Sequence, residues 1–273
     1  MSPPYIYRWA GLLTTVGLIV GVAAVVLSDV RAPTVLATSQ DPAIAAAAGE
    51  LQGRQAEDAP ARGVPGGARP AITASRLTVT STTTERPTVA LTFDDGPTPE
   101  YTPQVLELLA QYEAPATFCM VGNQAAAHPD LVQRVAARKN RLCDHTMTHD
   151  AGVGMYDPDL MSRQLDTSRT SLATAVDPAA SVDYFRAPEG AWTPALDEVS
   201  ARTGMRPLGW SVDTLDWSRP GVAAIVASVQ QSVHPGAIIL FHDGGGPREQ
   251  TVEALRQLLP CLQDQGYAFT LPT

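Results

Sequence analysis

Four polar side chains in two short segments are of the types that bind a catalytic metal ion. Asp94 and Asp95 are adjacent and follow an apolar segment, and His145 and His149 are four residues apart. On one helical turn, the two imidazoles would lie on the same face and could reach one ion. Imidazole and carboxylate are common ligands of zinc and similar ions. The spacing therefore predicts that Asp95, His145 and His149 hold one divalent ion, with coordination positions left open for water and substrate.

Both segments also have ordinary structural explanations. An Asp-Gly turn that caps the next helix would account for Asp95, and two unrelated surface histidines would account for the pair. A turn needs only one aspartate, which leaves Asp94 without a structural task. The other imidazoles in loop-like surroundings, His128 and His234, each precede proline and are predicted to be surface residues. We favour the metal site, with zinc as the first candidate ion and cobalt, nickel and manganese also compatible.

Three further segments place polar residues near the ends of predicted strands. The segment Phe185–Trp192 contains Arg186, which could pair with a buried carboxylate. The segment Asp213–Trp217 is an acidic turn with a tryptophan, and His242 ends the apolar run Ala237–Phe241. Each segment also has a structural explanation. The first could be a strand end, the second could hold a packed tryptophan, and His242 could be a core histidine.

The region from residue 87 to the C-terminus alternates short apolar runs with longer amphipathic ones. The predicted strands are Thr88–Phe93, Ala116–Val121, Arg141–Cys143, Tyr184–Arg186, Leu208–Val212, Ala237–Phe241 and Ala268–Leu271. The predicted helices are Pro103–Tyr112, Pro129–Ala137, Leu160–Ala175, Pro194–Arg202, Val222–Gln231 and Gln250–Gln265. Alternating strands and helices predict an α/β fold with a parallel sheet, open or closed. The polar segments follow these strands, at the edge where such folds build active sites.

The N-terminal third has a different composition. Trp9 to Ser28 contains no charged residue, and such a run can cross a bilayer core of about 30 Å. We interpret residues 1–29 as a transmembrane anchor, with a cleaved signal peptide as the alternative. Residues 30–86, rich in Ala, Pro, Gly and Thr, are predicted to be a flexible linker. The domain at 87–273 would then lie outside the cell, tethered to the membrane or secreted.

Charge and cysteine content exclude some classes of partner and site. The net charge of −9 at pH 7 provides no basic surface for nucleic acid. Cys119, Cys143 and Cys261 are scattered without a CxxC pair, which disfavours a disulfide framework or a cysteine zinc site. We predict three buried free thiols, with a single bridge as the alternative, and a monomeric protein.

Taken in order, the polar segments resemble the five motifs of the polysaccharide deacetylase family, also called the NodB-homology domain or carbohydrate esterase family 4. They read TFDDGP at 92–97, HTMTH at 145–149, RAPEG at 186–190, DTLDW at 213–217 and LFHD at 240–243. The resemblance covers about residues 87–273. It implies a distorted (β/α)7 barrel and a deacetylase activity.

The resemblance also implies a role for individual residues. Asp95, His145 and His149 correspond to metal ligands, Asp94 to the general base with Arg186 as its orienting partner, and His242 to the general acid tuned by Asp216. Trp217 and Leu240 correspond to walls of the acetyl pocket. The backbone N–H of Glu189 corresponds to the oxyanion donor, and Pro188, Gly190 and Trp192 belong to the same substrate-binding segment.

The implied activity is metal-dependent removal of N-acetyl groups from an extracellular glycan. We expect the GlcNAc or MurNAc units of peptidoglycan, with chitooligosaccharide deacetylase and acetyl-xylan esterase as close alternatives. A non-catalytic glycan-binding module is disfavoured because the base, the acid and all three ligands are present. Two departures bear on the site. Asp144 could be an acceptor for a ligand histidine or add charge near the ion, and Glu189 replaces a usual tyrosine and adds charge near the substrate.

Overall fold

The structure, a computed structural model, describes residues 81–82, 87–177 and 180–273. The predicted membrane segment at 1–29 and the linker, apart from residues 81–82, lie outside this range. No helix within the described range is long and apolar enough to cross a bilayer. Ser81 forms an isolated antiparallel bridge to Ala237.

Eight parallel strands form one curled sheet at the centre of the domain. They are β1 (Thr88–Asp94), β2 (Ala116–Met120), β3 (Arg141–Asp144), β4 (Tyr184–Phe185), β5 (Arg206–Pro207), β6 (Val212–Asp213), β7 (Ala237–His242) and β8 (Ala268–Thr270). The order is β5-β4-β3-β2-β1-β7-β6, and β8 pairs with the start of β1. All seven residues of β1 are buried. A parallel strand covered on both faces requires such a continuous run of residues that tolerate burial.

Among the described residues, seven α-helices accompany the sheet. They are α1 (Thr102–Gln111), α2 (Gly122–Ala127), α3 (Pro129–Ala136), α4 (Pro158–Val176), α5 (Pro194–Arg202), α6 (Val222–Ser232) and α7 (Glu249–Asp264). Proline at the first position begins α3, α4 and α5, where its missing N–H costs nothing. Asp157 and Thr193 cap α4 and α5 through their side-chain oxygens. Six of these helices begin and end within two residues of their predicted bounds. The seventh, α2, was not predicted.

The sheet is open, one of the two forms that the sequence allows, and the distorted seven-stranded barrel implied by the resemblance is a half-barrel with eight strands among the described residues. The predicted strand Leu208–Val212 is replaced by β5 and β6, which stand at opposite ends of the sheet and do not pair with each other. The carbonyls of Leu208 and Gly209 accept hydrogen bonds from the Arg186 side chain at 2.9 and 3.0 Å. Backbone pairing continues on both sides of these carbonyls, because the Leu208 N–H donates to the Phe185 carbonyl and the Ser211 N–H donates to the Ile238 carbonyl. The fold is a curled half-barrel, with Arg186 bound at the gap.

The cysteine prediction was also wrong. Cys119 on β2 and Cys143 on β3 are register neighbours in the parallel ladder, are fully buried and form a disulfide bond. Cys261 is the free thiol among the described residues. The bridge lies two residues before His145 and ties together the two strands on one side of β1.

Candidate functional site

The loops after β1 and β7 pack against each other so closely that glycine is required. A Cβ on Gly96 would lie 2.4 Å from a carboxylate oxygen of Asp243, and one on Gly244 would lie 2.1 Å from the Asp95 carbonyl oxygen. Asp95 itself has a positive φ of 72°. The close approach places the carboxylates that end β1 beside the histidine that ends β7.

The three predicted metal ligands come together at this edge. Asp95 Oδ1 lies 3.0 Å from His149 Nε2 and 3.5 Å from His145 Nε2. The helical turn predicted for residues 145–149 is absent, because Thr146 and His149 have φ values of 65° and 56°. The two imidazoles instead converge through an irregular turn, in which the Thr146 hydroxyl accepts from the His149 N–H at 3.0 Å.

The donor set fits one divalent ion. The three ligand atoms lie within 4.8 Å of one another. Asp95 Oδ1 is buried and makes no hydrogen bond of regular geometry within the described residues, although His149 Nε2 lies 3.0 Å away, as is expected of a coordinating oxygen beside a second ligand. His145 Nδ1 lies 2.8 Å from the Arg186 carbonyl oxygen, which can only accept, so the Nδ1 atom carries the proton. That bond leaves the His145 Nε2 lone pair for the ion, the arrangement usual for metal-binding histidines. Three protein ligands would leave positions open.

Asp94 is held beside this set by Arg186. Arg186 Nη1 donates to Asp94 Oδ1 at 2.7 Å and to the Thr92 hydroxyl at 2.9 Å. The guanidinium is fully buried, so this ion pair is shielded from solvent and held from several sides. The second carboxylate oxygen, Asp94 Oδ2, is 3.7 Å from His145 Nε2 and remains available to accept a proton.

His242 forms a second buried pair, with Asp216. Its Nδ1 lies 2.7 Å from Asp216 Oδ1, and its backbone N–H donates to Asp216 Oδ2 at 2.9 Å. Burial alone lowers the pKa of His242, but the hydrogen bond and charge of Asp216 outweigh it and raise that pKa. For Asp216, burial is outweighed by the hydrogen bonds it accepts, and the pKa is lowered. The pair therefore favours a protonated imidazole beside a carboxylate.

These groups meet in one cleft of about 550 Å³. Of the predicted residues, the cleft is lined by Asp94, Asp95, His145, His149, Glu189, Gly190, Trp217, Leu240 and His242. Arg186 and Asp216 lie behind it, as partners of lining residues. The structure does not bring Trp192 or Pro188 to the cleft wall. Trp192 packs edge-on against Phe185 at 5.7 Å, and Pro188 is buried.

Four lining residues were not assigned a role from the sequence: Trp210, Asp213, Gly245 and Arg248. Trp210 was placed inside the predicted strand 208–212, although it lies in the loop that spans the gap in the sheet. Asp213 was read only as part of an acidic turn. Gly245 lies in the run Gly244–Gly246, which has no side chains to indicate a role, and the basic residue shortly after it, Arg248, is the one signal that the sequence offers there.

The sequence suggested that Asp144 accepts a hydrogen bond from a ligand histidine or adds negative charge near the ion, and the structure supports neither role. Its Oδ1 accepts from the Thr146 N–H at 2.7 Å, and the ligand histidine bonds to a carbonyl instead. Complete burial raises the pKa of Asp144 to about 8, so at neutral pH it adds little negative charge. It acts within the turn that carries the two histidines.

Asp243 gives a pH-dependent prediction for stability. Burial raises the pKa of this carboxyl from 3.8 to about 7, although Thr102 donates to it at 2.5 Å. Between about pH 4 and pH 7 the folded state keeps a proton that the unfolded state loses, so this group makes the unfolding free energy fall as pH rises. Each unit of difference is worth about 1.4 kcal/mol. We expect Asp243→Asn, which keeps the acceptor for Thr102, to lose less stability than the wild type between pH 5 and pH 8.

Urea unfolding of both proteins with a chelator present measures this difference. The chelator keeps pH-dependent metal binding out of the comparison. Equal losses of unfolding free energy in the two proteins would show that Asp243 does not titrate on unfolding.

Comparisons with known proteins agree with the motifs. The sequence model of the polysaccharide deacetylase family matches residues 81–208. A chitooligosaccharide deacetylase of Sinorhizobium fredii is 43% identical over 202 residues, 70% of this chain and 92% of the relative. A peptidoglycan-N-acetylglucosamine deacetylase of Bacillus cereus is 40% identical over 183 residues, covering 66% and 84%.

A solved structure supports the fold but not, by itself, an activity. The crystal structure of a family 4 carbohydrate esterase pseudoenzyme from Bacillus anthracis superposes with a TM-score of 0.66, at 26% identity, over 71% of this chain and 67% of that one. Since that protein is a pseudoenzyme, the fold alone does not decide catalysis. The extensive identity to the deacetylases and the matching family model place this chain in the polysaccharide deacetylase family.

Proposed function

We propose that the domain hydrolyses the N-acetyl groups of N-acetylglucosamine units in an extracellular glycan, in a metal-dependent reaction. The observation that carries this proposal is that three separate groups converge on one cleft: the Asp95, His145 and His149 set, the Asp94–Arg186 pair and the His242–Asp216 pair. A glycan-binding module would have no need for a buried acid and a buried base on either side of a metal site.

The chain's residues divide the hydrolysis between them. Asp94 Oδ2 is placed to take a proton from water as the water oxygen attacks the acetyl carbonyl carbon. The amine is a poor leaving group as an anion, so His242 Nε2 donates a proton to the sugar nitrogen as the C–N bond breaks. Such positioned acids and bases contribute about 10²- to 10⁴-fold each. A divalent ion, when bound, polarises the carbonyl and lowers the pKa of water.

The cleft walls suit a small acetyl group at the end of a sugar. Leu240 is buried and Trp217 is 55% exposed, so the pocket has an apolar wall and an aromatic rim. Glu189 has a φ of 54°, a strained conformation that turns the backbone at the cleft rim. We propose that the Glu189 N–H donates to the developing oxyanion. One such donor is worth about 2.7–4 kcal/mol in other hydrolases.

An extracellular location is part of the proposal. The buried Cys119–Cys143 disulfide supports it, since such bonds persist in oxidising compartments and are rare in the cytosol. The uncharged segment Trp9–Ser28 supports export by an anchor or a signal peptide. Peptidoglycan is the first candidate substrate because an anchored domain would face the cell's own wall. Chitooligosaccharides are the second, and the names of the relatives cover both.

Acetate release by the purified protein tests the proposal. With zinc added, we expect acetate from chitooligosaccharides or from peptidoglycan, and none after chelation. Acetyl-xylan is the third substrate and separates esterase from amidase activity. Failure to release acetate from all three, with one bound zinc per chain, would favour the glycan-binding alternative.

Charge at the rim predicts how the enzyme chooses between substrates. The carboxylates of Asp94, Asp95, Asp213 and Glu189 line the cleft, and Glu189 is exposed. Muramyl peptides carry carboxylates, whereas chitooligosaccharides are neutral. Because exposed charge pairs are worth about 0.2–1 kcal/mol, we expect Glu189→Gln to raise kcat/KM on peptidoglycan fragments by about two- to fivefold and to leave chitooligosaccharides unchanged.

The control is Glu107→Gln, which removes an exposed carboxylate from α1. High salt should remove the difference between the Glu189 variant and the wild type, because an exposed charge is screened. An equal gain on neutral and anionic substrates would show that Glu189 acts by shape and not by charge.

A further inference from the structure

The Asp216 carboxylate is bound by a third group besides the side chain and backbone of His242. Thr251 Oγ1 donates to Asp216 Oδ2 at 2.7 Å, so Oδ2 accepts from both Thr251 and the His242 N–H while Oδ1 faces His242 Nδ1. Asp216 and Thr251 are both 1% exposed. Water therefore cannot replace the threonine hydroxyl, and its loss would leave a buried carboxylate short of a donor.

Arg248 holds the backbone segment that carries the Asp216 carboxylate. It precedes α7, and its guanidinium donates to the carbonyls of Gly244, Gly245 and Asp216 at 2.6, 3.0 and 3.3 Å. The arginine is 4% exposed. It thus joins the loop after β7, the turn that carries Asp216 and the start of α7. The segment Gly244–Gly246 is therefore held in place by the arginine.

The same loop also contacts the metal side of the cleft. A Cβ on Gly245 would lie 2.2 Å from Asp95 Oδ2, so the loop held by Arg248 is packed against a ligand carboxylate. One structural unit at the start of α7 therefore touches both halves of the site. In such sites a misplacement of about 1 Å can cost about 100-fold in rate.

We infer that Thr251 and Arg248 are positioning residues for the acid, with Thr251 orienting the Asp216 carboxylate and Arg248 holding the loop and turn around it. The inference rests on the proposed function, in which His242 protonates the leaving amine. Thr251 does not line the cleft, whereas Arg248 is one of its lining residues. The Thr251 hydroxyl can reach the reaction only through Asp216 and His242, so its effect must be selective for steps that need the acid. Arg248 also holds the loop that packs against Asp95, so this selectivity is expected of Thr251 and not of Arg248.

Because the expected effect depends on the leaving group, it can be distinguished from general damage to the fold. Thr251→Val keeps the volume and removes the hydroxyl. On an N-acetylated chitooligosaccharide, where the amine must be protonated to leave, we expect kcat to fall about 10- to 100-fold with little change in KM. On 4-nitrophenyl acetate, whose leaving group departs without a proton, we expect a change of less than about threefold.

Three further variants sharpen the result. Thr251→Ser restores the hydroxyl and should recover activity to within about threefold of the wild type. Thr170→Val makes the same replacement at an exposed position on α4 and should have no effect. Arg248→Lys should fall between the wild type and Thr251→Val on the amide, since one ammonium cannot replace the forked contacts. Equal losses on the amide and the ester, or no recovery with serine, would overturn the inference.

A second measurement does not depend on glycan activity. In the wild type, the nuclear magnetic resonance signal of the His242 Nδ1 proton should be protected from exchange, because that proton is buried against Asp216. In Thr251→Val we expect exchange at least about tenfold faster. Unchanged exchange would contradict the positioning role, whereas a wild type that releases no acetate would contradict only the proposed function.

Discussion

Replacing Asp94 by asparagine is expected to lower kcat for acetate release by about 10²- to 10⁴-fold, the usual contribution of a general base. Asparagine keeps an oxygen that can accept from Arg186, so the buried guanidinium retains a partner at 2.7 Å and the fold is preserved. It lacks the anionic oxygen that would take the proton of water. Metal content should stay at one ion per chain, because the three ligand side chains are unchanged.

Kinetics on a chitooligosaccharide and metal analysis of the same sample check this result. The matched control is Asp166→Asn, at an exposed position on α4, which should behave as the wild type does. A variant that keeps more than about a tenth of the wild-type kcat would remove Asp94 from the role of base.

Replacing His149 by alanine should abolish both metal binding and acetate release. His149 lies closest to Asp95 Oδ1, at 3.0 Å, and its side chain is 31% exposed. Its removal therefore takes away one metal ligand without leaving a cavity in the core. Two remaining ligands hold an ion weakly. Loss of several kcal/mol of transition-state stabilisation corresponds to a rate below roughly one-hundredth of the wild type.

The chain offers a histidine control for this variant. His234 is exposed and stands outside the site, so His234→Ala should keep both the ion and the activity. Metal stoichiometry by elemental analysis and acetate release should fall together in His149→Ala alone. Activity that survives the loss of the ion would mean that the ion is not required.

Elements with strong local signals were predictable from the sequence. The run Ala237–Phe241 reads as a buried strand and is β7, and the amphipathic stretch Pro194–Arg202 is α5 with the predicted bounds. The site residues could be found because short motifs follow such strands, at the edge where parallel sheets gather polar groups. Resemblance to the family then suggested a role for each of them.

The parts that could not be predicted depend on contacts between distant segments. Thr146 and His149 adopt positive φ values that nothing in the pattern of two histidines requires. The Cys119–Cys143 bridge follows from the register of β2 against β3, which spacing along the chain does not fix. The gap between β5 and β6 is crossed by a segment whose carbonyls, at residues 208 and 209, are bound by the distant Arg186 side chain.

The same reason explains why Thr251 and Arg248 were missed. They lie 35 and 32 positions from Asp216 in the sequence and meet it only through the packing of α7. A threonine on a helix carries no local signal of a role at a site. Thr251 is identified only by its hydrogen bond to the buried Oδ2 atom of Asp216.

The most direct test of the account is the anomalous scattering of crystals grown with zinc. We predict one strong peak per chain, within about 2.0–2.2 Å of an Asp95 oxygen and of one nitrogen from each of His145 and His149. Crystals that show zinc at other positions but no anomalous peak between these three side chains would contradict the predicted metal site.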